Sequence, residues 1–117
     1  MATRLNKNFT HFKNTGVDIE FVFSDIADLS EANEIEWAFG VDEDSEPLIT
    51  KSTADGITIN EVDTEKCTVR LDPGDTETLT AGSYYHQLRW QDDDMVWHVS
   101  AAGTMTLLNT IFDIEGA

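Results

Sequence analysis

With a single cysteine, Cys67, this chain cannot close an internal disulfide. Its setting in Cys67-Thr68-Val69-Arg70-Leu71, alternating with apolar residues, makes it a small buried hydrophobe rather than a reactive thiol. No apolar run reaches membrane-spanning length, and Met1-Ala2-Thr3-Arg4-Leu5-Asn6 lacks the apolar core of a signal peptide. Synthesis and assembly in a cytoplasm are therefore expected. Basic residues are scarce, 7 against 23 acids, for a formal charge of −16. A body so acidic repels nucleic acid, which selects the opposite sign.

Catalytic signatures are missing too. Gly56, Gly74, Gly82 and Gly103 are isolated and build no phosphate loop. Ser24, Ser83 and Ser100 stand in no nucleophile-elbow context, and no carboxylate pair stands out from the general surplus of acids. There is no repeat, linker or low-complexity tract, and no useful stretch with helical periodicity.

The few positive charges are unevenly placed. Residues 1–17 hold Arg4, Lys7 and Lys13 and no acid, for +3. The remaining hundred residues carry all 23 acids against Lys51, Lys66, Arg70 and Arg89, for −19. Such a body is either kept monodisperse by repulsion or adapted to a salty medium.

At 117 residues the chain is one domain, large enough to bury a core. Apolar residues recur with period two. Val17, Ile19, Phe21 and Phe23 make one half-buried strand, and Ile35, Trp37, Phe39 and Val41 a second. Short strands are expected at 48–50, 57–59 and 67–71, with a sharp turn at Asp72-Pro73-Gly74-Asp75. A further strand, with Tyr84, His86, Leu88 and Trp90 on one face, turns at Gln91–Asp94 and returns from Met95. Ala101-Ala102-Gly103 reads as a bulge before 104–108; Ser30 could cap a single turn, but 28–33 is too short to stand alone and reads as a loop crossing the end of the sandwich. Leu79-Thr80-Ala81-Gly82-Ser83-Tyr84 reads as a tyrosine corner: the leucine anchors the loop, the glycine permits the bend, and the tyrosine hydroxyl reaches nearby backbone. The expected fold is an all-β, immunoglobulin-like antiparallel β-sandwich of seven to eight strands over 17–108. A basic arm, 1–16, precedes it and a tail, 109–117, follows.

Three constellations bear on chemistry. Asp92-Asp93-Asp94, residues 42–46 and residues 61–65 are acid-rich turns with oxygen ligands for calcium but without the spacing of a calcium loop. A turn centred on Asp93 would set His86 opposite Ser100 and His98 opposite Leu88, the two imidazoles diagonal on one face, with no third ligand to complete a zinc site. Neither a metal nor another cofactor is therefore assigned. Trp97 alternates away from the apolar faces and suits either a sugar-stacking platform or an interface.

Several segments, taken together, resemble small β-sandwich virion proteins of tailed bacteriophages, including the N-terminal domain of baseplate upper proteins. They are Thr15-Gly16-Val17-Asp18-Ile19-Glu20-Phe21-Val22-Phe23, Leu48-Ile49-Thr50-Lys51, Gly56-Ile57-Thr58-Ile59, the run Asp75-Thr76-Glu77-Thr78-Leu79-Thr80-Ala81-Gly82-Ser83-Tyr84, and the last strand after Gly103. The resemblance spans roughly residues 15–108. It implies a non-enzymatic virion component, present in symmetric copies, that joins neighbouring virion proteins. It supplies no catalytic residue. No coiled coil or receptor-binding extension follows the sandwich, which suits a tail or neck attachment protein or a head decoration (cement) protein. The partner contacts expected on this reading are Arg4, Leu5, Lys7, Phe9 and Phe12 in the arm, Trp97 on the domain, and Ile111, Phe112 and Ile114 in the tail. The alternative is a calcium- or carbohydrate-binding module working through the acidic turns or Trp97. Neither nucleic acid nor membrane is an expected partner.

Overall fold

The computed structural model describes residues 5–13, 15–23, 26–42 and 44–109. Among the described residues nine strands run in chain order: β1 (Leu5–Asn6), β2 (Phe9–Phe12), β3 (Val17–Val22), β4 (Glu34–Gly40), β5 (Ile49–Ser52), β6 (Ile57–Ile59), β7 (Lys66–Leu71), β8 (Gly82–Gln91) and β9 (Trp97–Leu108). They form two sheets. The larger is ordered β1-β9-β8-β4-β5, with β2 also on β9, and the smaller is β3-β7-β6. The domain is thus the expected all-β immunoglobulin-like sandwich, with nine strands among the described residues rather than seven or eight, because β1 and β2 add to the edge of β9.

Period-two patterning decides which residues face inward. Burial alternates along β3, β4 and β7, so Ile19, Phe21, Ile35, Trp37, Phe39, Cys67, Val69 and Leu71 meet Leu88 and Met105 between the sheets. A large aromatic such as Trp37 or Phe39 removes 150–250 Å² from water, worth about 4–6 kcal/mol as an upper estimate. Cys67 is fully buried, and desolvation pushes its thiol up to about 12. It is inert packing, as its sequence context indicates.

Several local expectations need correction. Both β1 and β2 pair with β9 in parallel, so the sandwich is not purely antiparallel. Val41 and Leu48 lie outside their strands and are exposed, because β4 stops at Gly40 and β5 starts at Ile49. Residues Pro73–Thr76 form one helical turn, α1, rather than a simple reversal: the Asp72 N–H donates to the Asp75 carboxylate at 2.8 Å, and proline fits the first helical position. Asp28, not Ser30, caps the 3-10 turn Leu29–Glu31, its carboxylate accepting the Ser30 N–H. The bulge in β9 is at Ser100. Leu88 pairs with Ala101 and Arg89 with Val99, which leaves one extra residue between them.

Candidate functional site

The N-terminal segment is annealed to the edge of β9. Leu5 and Asn6 face Ala101 and Ala102, then Phe9 to Phe12 face Met105 to Leu108. Between the two stretches the backbone presses into β9 at Gly103, where a Cβ would fall 2.0 Å from the Lys7 carbonyl oxygen. The absence of a side chain at Gly103 makes that approach possible. The Lys7 N–H donates to the Ala102 carbonyl at 2.9 Å, and the Asn8 side-chain oxygen accepts the Thr104 N–H at 2.9 Å.

His86, fully buried on β8, ties this segment to the core. The Trp37 indole N–H donates to His86 Nδ1 at 3.2 Å, and His86 Nε2 lies 2.7 Å from the Lys7 carbonyl oxygen. An indole only donates and a carbonyl only accepts, so both contacts demand the same neutral tautomer, with the proton on Nε2. Phe9 and Phe21 meet the imidazole edge-on, and the Lys7 ammonium sits over the Phe21 ring. Desolvation, helped by the Lys7 charge, holds the His86 imidazole below its ordinary pKa. His11, on β2, is also buried, its Nε2 without a hydrogen-bond partner, and desolvation lowers it too.

Of the partner contacts expected from sequence, Arg4, Ile111, Phe112 and Ile114 lie outside the described residues. Leu5, in β1, pairs with Ala101 of β9, Phe9 is half-buried against the core, and Lys7 is half-buried over Phe21. Phe12 is 51% exposed and directly paired with Leu108, itself 39% exposed. Together they make an apolar spot at the end of the sheet edge. Sequence reasoning misses the part that His11 and His86 play in organising the arm. The only hint is two histidines flanked by aromatic residues.

The outer face of the larger sheet holds a groove of about 430 Å³ lined by Glu36, Ala38, Ser45, Pro47, Thr50, Gln87 and Arg89. Arg89 forms its wall, bonded to Glu36 at 2.6 and 3.0 Å, and its guanidinium lies 3.8 Å over the Trp97 ring. One face of Trp97 is therefore already stacked.

The histidine geometry expected from the hairpin does not form. The turn is centred one residue later, and the Ser100 bulge shifts the pairing again, so His86 opposes Gly103 and His98 opposes Trp90. His98 stacks on Trp90 and bonds Asp92 at 2.8 Å. Asp92 also accepts the N–H groups of Asp94 and Val96, and with His98 as the leading cause its carboxyl is held below the ordinary range. Asp42 accepts in the same way from Ser45 and Asp44. These carboxylates shape their own turns. Among the described residues no three His, Cys, Asp or Glu side chains gather as a metal-binding group.

The fold is that of an immunoglobulin-like sandwich. Its solved likenesses are distant. A chicken TCR structure matches at 14% identity and a TM-score of 0.52, over 92% of this chain and 55% of that one. Fibronectin(III)-like modules of Clostridium thermocellum CbhA match at 11% identity and 0.49, over 93% of each chain. CopC from Methylosinus trichosporium OB3b matches at 12% and 0.48, over 93% of this chain and 86% of that one. The sequence matches no protein-family model and no curated protein. In antibody domains the residue two after the corner tyrosine is the second cysteine of a disulfide that packs on a buried tryptophan. Here His86 follows Tyr84 by two and bonds Trp37.

Proposed function

We propose that this domain is a non-catalytic joint between protein subunits of a tailed-virus particle, in a tail, neck, baseplate or head-decoration position. One observation carries the reading most: Phe12 and Leu108, directly opposed across β2 and β9, are both exposed at the end of the sheet edge. Exposed apolar side chains gathered at one place suit a contact with another chain. The phage resemblance of residues 15–108 supplies the virion context. The extreme acidity suits a component held soluble until it docks.

A carbohydrate-binding role has less support, because Arg89 occupies one face of Trp97. A calcium role has less support as well, since Asp42 and Asp92 hold their own turns. The test is particle incorporation. Chains carrying Phe12→Asp and Leu108→Asp should fold and fail to incorporate. Normal incorporation of that variant would refute the reading.

A further inference from the structure

We propose that residues 5–12 are an exchangeable strand, which pairs either with its own β9 or with β9 of a second copy, and that the Trp37–His86–Lys7 chain is its latch. The inference names a contact for the joint proposed above. It is tested on purified chains, so its failure would leave the particle reading untouched.

The slot on β9 is built for this segment. Gly103 admits the Lys7 carbonyl, the Thr104 N–H is met by Asn8, and the Lys13 N–H reaches the Leu108 carbonyl at 2.8 Å. A second copy carries an identical segment, so whatever fits in cis fits in trans. β2, in one sheet, ends at Phe12 and β3, in the other, begins at Val17, so an exchanged segment stays tied to its own domain by a short connection. An emptied β9 edge would expose unpaired backbone, which favours refilling by any available copy of the segment. The segment carries one cation, Lys7, and no acid, so it meets a strongly negative body without adding to the repulsion between copies.

Protonation opens the latch. A proton on His86 Nδ1 would set an N–H against the Trp37 N–H, breaking the contact that orients the ring. The charged group beside His86 is the Lys7 ammonium, which the segment itself brings, while Phe9, Phe21 and Trp37 supply only rings. His11 lies opposite Leu107, its imidazole hydrogen-bonded to the Thr15 backbone and its Nε2 buried and unpartnered. Among the described residues no carboxylate lies against either ring to stabilise the imidazolium. Releasing the segment lets both imidazoles reach water.

Two full-length chains test this, one carrying Thr10→Cys and the other Thr106→Cys, since Thr10 and Thr106 are direct partners. Neither chain alone carries both introduced thiols, so a disulfide between the two positions forms only across copies, and Cys67 is too buried to compete. The chains are mixed at about pH 7.5, held there or taken to about pH 5 and returned, then oxidised. The acid excursion should raise the yield of the mixed disulfide severalfold, because segments held in cis at pH 7.5 are released and re-pair between copies. His86→Gln, which still accepts and donates but does not titrate, should cut that rise. No mixed disulfide in either arm, or equal yields in both, would overturn the proposal. An independent check is nuclear magnetic resonance on the unmodified chain. The Trp37 indole N–H and the amides of Lys7 and Thr104 should change together on acidification while the β3–β7 amides stay constant. Simultaneous loss of all of them would mean global unfolding and would equally overturn it.

Discussion

Lys51 Nζ lies 2.9 Å from Asp75 Oδ2, with side chains only 8% and 19% exposed. The pair joins β5 of the larger sheet to α1, which leads from β7 of the smaller sheet into the tyrosine corner. Gly56, entering β6, faces the same lysine: a Cβ there would fall 2.8 Å from Lys51 Cδ. Lys51, Gly56 and Asp75 thus converge on one structural lock. Breaking a buried pair from one side typically costs about 3–5 kcal/mol, whereas replacing both partners with apolar groups is close to neutral. Lys51→Met and Asp75→Asn should each lower stability in urea unfolding, and Lys51→Met with Asp75→Leu should recover part of the loss, the remainder being the Asp72 N–H that Asp75 no longer accepts. Single losses below about 0.5 kcal/mol, the level of a surface pair, would show that the lock is ornamental.

The sandwich is legible in the sequence because its body obeys one local rule. Ile19, Phe21, Ile35, Trp37, Phe39 and Val69 alternate with polar residues, and burial follows that alternation. The arm breaks the rule. In Phe9-Thr10-His11-Phe12 the apolar residues fall on opposite faces, so His11 is buried and Phe12 exposed. The hairpin departs from expectation for a different reason. Its register depends on a bulge at Ser100 and on Met95 at φ 66°, a left-handed position that normally selects Gly, Asn or Asp. Neither leaves a periodic trace. The buried Lys51 is hidden because lysine in a strand ordinarily faces water.

Tyr84 donates its hydroxyl to the Thr80 carbonyl and sets its ring edge-on to Phe39. Tyr84→Phe keeps the ring and removes one hydrogen bond, so it should cost about 0.5–1.5 kcal/mol in denaturant unfolding. Tyr84→Ala removes the packing as well and should cost clearly more. Equal losses would mean that the corner bond, rather than the ring, carries the stabilisation.

Gly103→Ala should dislodge the N-terminal segment without unfolding the sandwich. The new Cβ meets the Lys7 backbone, which cannot rotate away as a side chain would. Overpacking of this kind costs about 1–3 kcal/mol. Trypsin should then cut after Lys7 and Lys13 faster than in the parent chain. Unchanged cleavage would show that the segment tolerates the shift.

His11 and His86 both have lowered pKa values in the fold, so the unfolded chain binds more protons as pH falls through its own histidine pKa, about 6.5. Their stabilisation is fully present above that pH and declines as pH drops toward the folded values. Asp28, Asp42 and Asp92 are lowered from the ordinary aspartate value, so their stabilisation is lost only at more acidic pH. Melting temperature should therefore fall in two stages on acidification. His86→Gln should weaken the first stage and leave the second. A profile flat down to about pH 4.5 would contradict the assignment of both histidines as buried neutral groups.

Salt should stabilise this domain. Seven basic residues cannot neutralise 23 acids, and Lys51, Lys66, Arg70 and Arg89 are already engaged with Asp75, Asp63, Asp18, Asp72 and Glu36. Like-charge repulsion among the remaining carboxylates acts across the surface and is screened over about 10 Å at 0.1 M salt. Raising potassium chloride from about 10 mM to about 150 mM should increase the melting temperature, because screening weakens repulsion more than it weakens the short, partly buried Lys51–Asp75 pair. Micromolar calcium at fixed ionic strength should add nothing. A calcium-specific rise would reveal a site formed by carboxylates that otherwise cap their own turns, and a falling curve in potassium chloride would mean that attractive pairs outweigh the repulsion.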